Sequence, residues 1–357
     1  MRVAFDVTAM LAGTTGVARY VRELGVALEN QGVDLVRFAI GRDGHTGVEL
    51  EGAQRLRVPL RIVHRLWPLV HTPSAERLAP ACDLVHSTDL IPPPSRYPIV
   101  LTVHDLVALE RPDLHPRRAR RIQRAQLDVA RRRASIVLSV SQATADALRG
   151  RGVDPDRIVV APNGATSLPR ADRSVVPDIP YLLAVGSLTP RKGLGTLVAA
   201  FARASLPDRT LLVLAGPAGW RVQAVRAAIA RHGVAERVVL TGTVSDAQLA
   251  ALYECCLAVC VPSLAEGFGL PIIEAGAAGA PVVASDLPVF HEVGAGIGLF
   301  APPGDEDEWA AALERIVADD DLRRDAASRG RELAGEFTWE RTAEITVSAY
   351  ERALEAA

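Results

Sequence analysis

Short runs of aliphatic and β-branched residues alternate along the whole chain with stretches whose apolar positions recur every three to four residues. That alternation predicts parallel α/β layers. In the first half the predicted strands are Val3–Val7, Leu35–Ala39, Leu84–His86, Ile99–Val103 and Ile136–Val140, with helices over Val17–Asn30 and Arg117–Ala134. The second half repeats the scheme with strands at Tyr181–Val185, Leu211–Ala215, Val238–Thr241, Ala258–Val261 and Val282–Ala284. Helical periods close the chain at Glu306–Ala318, Leu322–Glu336 and Trp339–Leu354. Between the halves Thr166–Pro180 is polar, carries three prolines and has no period, which predicts a linker. The pattern therefore predicts two doubly wound domains facing a cleft, with the chemistry in loops at the carboxyl ends of the strands.

Length agrees, because 357 residues at ~150 per domain give about two. With 49% apolar and 23% charged residues the chain is neither disordered nor fibrous. Cys82, Cys255, Cys256 and Cys260 are too few for a disulfide scaffold. The last three lack zinc-ligand spacing, so small buried hydrophobes in a reducing compartment are expected, against a metal site as the alternative. The opening MRVAFDVTAM starts a strand pattern without the apolar core of a signal peptide. No apolar run approaches the ~20 residues of a membrane span, and a cytoplasmic protein is expected.

Charge changes the picture more. Residues 1–178 hold 25 arginines against 19 acidic residues, and residues 179–357 hold 15 basic against 23 acidic ones, so halves of +6 and -8 underlie the net -2. Opposite signs predict different partners. Of the 40 basic residues only Lys192 is a lysine, a compact ammonium that arginine does not replace as a point charge.

Lys192 falls in VGSLTPRKG, after the first strand of the second half. Arg191 and Lys192 there place two cations where a departing diphosphate would gather charge, a task often given to a divalent metal. The segment PSLAEGFGLPIIE follows a buried strand and opens an apolar helix. Gly267 and Gly269, flanking Phe268, let the backbone approach a ligand closely. Pro271 suits the first helical position, and the amides around Leu270–Ile273 would meet a phosphate. Glu266 on the loop and Glu274 one turn into the helix flank that positive end, an arrangement suited to a ligand anionic in its middle and hydroxyl-rich at both ends. A nucleotide sugar has that form.

In the first half LTVHD ends a strand with His104 and Asp105, where an imidazole would bond a sugar hydroxyl or a backbone carbonyl, or else is a satisfied structural histidine. His86 ends another strand and reads equally well as structural. In AGTTGVARY the Gly16 amide would approach the diphosphate. The segment does not fit the dinucleotide fingerprint, lacking its spacing and its ribose-binding acid.

These residues together resemble the family-four retaining glycosyltransferases of the GT-B fold. The signature is two glutamates with seven residues between them, met by Glu266 and Glu274, with GFGLP in the interval. The resemblance implies that Glu274 holds the nucleotide ribose, Glu266 contacts the transferred sugar, and Arg191 with Lys192 neutralises the diphosphate. It also implies that His104 contacts the transferred sugar and that Asp105 orients its loop. Ser187 stands where some members carry a third cation, and Thr15 replaces one of two adjacent glycines beside Gly16, Arg19 and Tyr20. The implied architecture is an acceptor-binding domain over 1–170, a donor-binding domain over 177–338 and a last helix, about 339–357, packing back on the first.

The expected activity is transfer of a hexosyl unit from a nucleotide diphosphate sugar to an acceptor hydroxyl with retained configuration. No cofactor and no metal are expected. The donor is expected to be a GDP- or UDP-sugar. The wording of VHDL and TPRKG resembles bacterial surface-polysaccharide mannosyltransferases, which tilts it towards GDP-mannose. The acceptor is undetermined, with a glycan or lipid-linked glycan as one candidate. A sugar-nucleotide epimerase, a nicotinamide-dependent oxidoreductase and a bilobal sugar-binding protein are the alternatives.

Smaller features complete the reading. Asn163 and Gly164 in APNG predict a turn, with a ligand role for Asn163 as the alternative. Asp154–Asp156 and Asp319–Asp321 predict a turn and a helix start rather than metal ligands. The stretch Arg117–Arg133 carries eight arginines against Asp128. Its apolar side of Ile122, Leu127 and Val129 would let it lie on an anionic membrane at the inner face, or it is a solvated helix face. Nucleic acid is not expected, because aromatics are only 4% and do not interleave with these arginines.

Overall fold

The computed structural model describes residues 1–13, 15–41, 50, 52–59, 62–63, 67, 72–89 and 91–356. The chain divides into two compact units, Met1–Pro112 with Pro116–Gly164 and Trp339–Ala357, and Ala165–Thr338 with Asp113–His115.

In the first unit the described strands are β1 (Arg2–Asp6), β2 (Asp34–Ile40), β3 (Gln54–Leu56), β4 (Leu84–Ser87), β5 (Ile99–Val103), β6 (Ile136–Ser139) and β7 (Ile158–Val160), and every pairing is parallel. Their order is β3-β2-β1-β4-β5-β6-β7. All five residues of β5 are buried, as expected for a central parallel strand covered on both faces. The helices are α1 (Gly16–Asn30), α2 (Ala75–Leu78), α3 (Val107–Glu110), α4 (Arg117–Arg132), α5 (Gln142–Arg149) and, returning from the far end of the chain, α13 (Trp339–Glu355). The helix α13 buries Trp339, Ala343, Ala349, Tyr350 and Ala353 among Val3, Phe5, Tyr20, Leu24 and Leu28. Alanines at this seam allow close approach, while Trp339 and Tyr350 supply area, each buried aromatic contributing roughly 1.5–3 kcal/mol.

The second unit holds β8 (Tyr181–Val185), β9 (Leu211–Ala215), β10 (Val238–Gly242), β11 (Ala258–Val261), β12 (Val282–Ser285) and β13 (Gly298–Ala301) in the order β10-β9-β8-β11-β12-β13. Its helices are α6 (Leu194–Arg203), α7 (Val222–Arg231), α8 (Asp246–Cys255), α9 (Leu270–Ala278), α10 (Pro288–Gly294), α11 (Glu306–Ala318) and α12 (Asp320–Ala334). The winding direction reverses between β8 and β11, so the loops leaving their carboxyl ends flank the crevice that binds ligands in doubly wound sheets.

The expected linker Thr166–Pro180 follows the division between the units at Gly164 and Ala165. It is pinned, since the Asp172 amide donates to Ala247 O and Arg173–Val175 forms a short 3-10 turn beside α8. Other expectations need correction. No turn forms at Asn163–Gly164, which is irregular backbone without a positive φ. The apolar side of α4, with Gln126, Leu127, Val129 and Ala130, is buried in the first unit's own core. It is therefore not available to enter a bilayer, and the helix offers only its arginine face. Asp154 and Asp319 act as helix caps, accepting from the amides of Asp156 and Leu322. The cysteines are unpaired, with Cys82 and Cys260 buried. Among the described residues no three His, Cys, Asp or Glu side chains group to hold a metal, and no helix is long and apolar enough to cross a membrane.

Candidate functional site

In the second unit the chain leaves β8 at Gly186, forms a 3-10 turn at Pro190–Lys192 and enters α6 through Gly193. Gly193 has φ 61°, and a Cβ there would lie 1.9 Å from Pro262 O. The two site loops thus touch at a point where only glycine fits. The Leu264 amide adds a backbone bond to Arg191 O at 2.8 Å.

This contact sets the chemistry. Lys192 Nζ donates to Glu266 Oε1 at 2.5 Å, Arg191 Nη1 donates to Glu266 Oε2, and Ser263 Oγ donates to Oε1 at 3.0 Å. Arg191 Nη1 also reaches Ala265 O at 3.3 Å. The Glu266 side chain is 9% exposed, whereas Arg191 and Lys192 keep 21% and 15%. Burial alone would raise the Glu266 carboxyl; the Arg191 and Lys192 charges overcome that and hold it at about 2. Two cations against one carboxylate leave the cluster with a charge of +1. Sequence reasoning placed the two cations and Glu266 on opposite loops as separate ligand contacts. The fold joins them into one ion-paired group.

The helix α9 begins at Leu270 with Gly269 as its N-cap at φ 113°, without a side-chain cap. Pro271 is its second residue rather than its first, and the Ile272 amide donates to Gly269 O at 2.8 Å. Fewer amides than expected therefore remain for an anion. Phe268 is buried and meets Phe337 edge to face at 5.9 Å, which fixes the loop between Gly267 and Gly269. Glu274 is 5% exposed, and its Oε2 accepts from Tyr253 OH at 2.9 Å. Tyr253 and Ser263 were missed in the sequence; an isolated buried tyrosine on a helix carries no signal beyond core packing.

In the first unit His104 follows β5 directly, and its Nε2 donates to the Thr88 carbonyl at 2.8 Å. Asp105 Oδ1 accepts from the Val107 amide at 3.0 Å and from Gln123 Nε2 at 2.9 Å, so it fixes the turn into α3. Asp89, nearby, is pushed up by burial and by the Asp105 charge, against a lowering effect of His104. Asp6, at the end of β1, is pushed up by burial to about 6 although it accepts from the Thr8 amide. Gly16 is the first residue of α1, and Thr15, the departure from two glycines, caps that helix by accepting from the Ala18 amide at 3.1 Å. Asn163 is 3% exposed, and its Oδ1 has no partner among the described residues. His86 is fully buried between Tyr350 and Thr102, so its role is structural.

The second unit is thus a parallel doubly wound sheet with a partly exposed, net cationic cluster at its switch point, a place where such sheets bind ligands. Solved structures share the fold over the full chain. A sucrose-phosphate synthase from Thermosynechococcus elongatus superposes with TM-score 0.82 at 24% identity, covering 100% of each chain. Anabaena HepE in complex with UDP-glucose superposes at 0.75 and 21% identity, covering 98% and 99%.

The model for glycosyl transferases group 1 matches residues 170–333, and that for glycosyltransferase family 4 matches 14–166. The O-antigen chain mannosyltransferase B of Escherichia coli is 28% identical over 98% of this chain and 99% of its own. A D-inositol 3-phosphate glycosyltransferase of Jonesia denitrificans is 30% identical over 73% of this chain and 67% of its own. The chain belongs to the family-four, group 1 glycosyltransferases and has the GT-B fold.

Proposed function

We propose that the protein moves a hexosyl unit, mannosyl by preference, from a nucleoside diphosphate sugar to an acceptor hydroxyl with retained configuration and without a metal. The observation that carries this reading is the Arg191–Lys192–Glu266 cluster beside the start of α9. Cleavage of the bond between the anomeric carbon and the phosphate oxygen leaves negative charge on the diphosphate. Lys192 and Arg191 stabilise that charge where a metal otherwise would. Glu266 holds both cations in place and faces the transferred sugar. Glu274, oriented by Tyr253, accepts from the ribose hydroxyls, and the backbone from Gly267 to Leu270 lines the phosphates. In the first unit Gly16 lines the phosphates and His104 accepts from a sugar hydroxyl through Nδ1. Following the family resemblance, the acceptor oxygen bonds to the anomeric carbon and its proton passes to the departing phosphate oxygen on the same face.

The relatedness to an O-antigen mannosyltransferase supports a mannosyl donor and a glycan or lipid-linked glycan acceptor. HepE, whose structure holds UDP-glucose, keeps a UDP-sugar as the competing donor. A cytoplasmic protein working at the inner membrane face fits such an acceptor. Contact there would be electrostatic only, through exposed Arg117, Arg118, Arg121 and Arg124.

The test is product analysis by NMR with GDP-mannose and UDP-glucose as donors in the presence of EDTA. Transfer with the α-configuration kept supports the reading. An inverted product, or activity abolished by the chelator, overturns it.

A further inference from the structure

Four buried polar side chains of the first unit, none of them part of the charge cluster, form one connected chain. Tyr350 OH on α13 lies 2.6 Å from His86 Nδ1, His86 Nε2 lies 2.8 Å from Thr102 Oγ1, and Thr102 Oγ1 lies 3.0 Å from Tyr20 OH on α1. None of the four exceeds 1% exposure. Burial lowers His86 to about 3, and burial raises both phenols. All therefore stay neutral near pH 7. A neutral imidazole, with one N–H and one lone pair, lets every bond run in one direction along the chain.

The chain ends at a residue with a proposed task. The Tyr20 ring meets His104 edge to face, 4.7 Å between centroids and 87° between planes, and it also meets Trp339, the first residue of α13, at 5.9 Å. His104 is held at one nitrogen by Thr88 O. The perpendicular Tyr20 ring packs against the imidazole and narrows its side-chain torsions. A purely packing role would be met by phenylalanine or leucine; a buried phenol needs hydrogen-bond partners, and a fully satisfied polar chain specifies one geometry.

We propose that Tyr20 is the positioning residue for His104, and that its anchor through Thr102, His86 and Tyr350 ties the imidazole's orientation to α13. The consequence for catalysis rests on the reading of His104 as a sugar contact; the positioning itself does not.

The test is imidazole 15N NMR of the full chain, alongside turnover of GDP-mannose and UDP-glucose. In the wild type His104 should show one tautomer, protonated at Nε2. Tyr20→Leu should shift it towards a tautomer mixture and lower kcat about 10-fold or more while the donor KM stays within about 2-fold. Tyr20→Phe, which keeps the ring but loses the bond to Thr102, should give a His104 shift and a loss of rate intermediate between wild type and Tyr20→Leu. If Tyr20→Leu does not fold, Tyr350→Phe and Thr102→Val carry the test through the same His104 signal. An unchanged His104 signal in folded variants overturns the proposal. A shifted signal with unchanged turnover leaves the positioning standing and removes His104 from the sugar contact.

Discussion

The two sheets wind alike, reversing direction between β1 and β4 in one and between β8 and β11 in the other, yet their strand ends carry different chemistry. At the second unit's switch the side chains are charged, partly exposed and mutually paired: Arg191, Lys192 and Glu266. At the first unit's they are buried and hydrogen-bonded: His86 is kept neutral, Asp6 is pushed up to about 6, and His104 is held by a carbonyl and a ring. One end suits an anion, which needs fixed charge. The other suits a polyol, which needs directional donors and acceptors. A shared topology thus carries different side-chain chemistry at the two sets of strand ends.

The largest expected effect comes from removing the single ammonium. Lys192→Ala should lower turnover by about 10²-fold or more, the scale of losing one oxyanion-stabilising donor. Near-normal rates would erase the contrast between the units.

Glu266→Gln addresses the same end through stability. Its carboxyl falls from the usual 4.5 to about 2 on folding, so it stabilises the folded unit above pH 4.5 and loses that contribution as the pH falls through 2. The gap between wild type and variant should be about 3 kcal/mol at pH 6 and vanish near pH 2. Urea unfolding fitted with a transition for each unit reads it; a pH-independent gap would contradict the ion-paired picture.

Asp6→Asn should behave oppositely. An acid raised from the usual 3.8 to about 6 costs the fold nothing below both values, and the cost grows as the pH rises to about 6. The variant should be more stable by about 3 kcal/mol at pH 8 and indistinguishable at pH 3. The smallest effect is expected from Tyr253→Phe, which leaves Glu274 without its orienting donor. It should weaken binding of GDP or UDP several-fold, about 1 kcal/mol, in calorimetry.

The buried central strands and the long terminal helices were legible because their apolar residues recur at the period of the element they form. The strands β3 and β13 were not: Gln54–Leu56 and Gly298–Ala301 are short, lie at sheet edges and are mostly half-exposed, so their sequences carry little hydrophobic contrast. The site's residue types were legible because PRKG and EGFGLPIIE concentrate glycine, cations and carboxylates next to predicted strand ends. Their mutual pairing was not, since Arg191 and Lys192 lie 75 and 74 positions from Glu266 and meet only through the close approach at Gly193. His86 shows the same limit. Its partner Tyr350 is 264 residues away, and nothing local separates a structural histidine from a ligand-binding one. The arginine stretch was legible as a helix, but which of its sides faces the core depended on neighbours such as Leu106 and Val137 that pattern alone does not place.

The most direct measurement is titration calorimetry of GDP-mannose and UDP-glucose into the wild type and Lys192→Ala, each in EDTA. The account predicts saturable binding of one donor without metal, weakened at least 10-fold by the substitution. Equal affinity in both proteins, or binding that appears only when magnesium is restored, would contradict it.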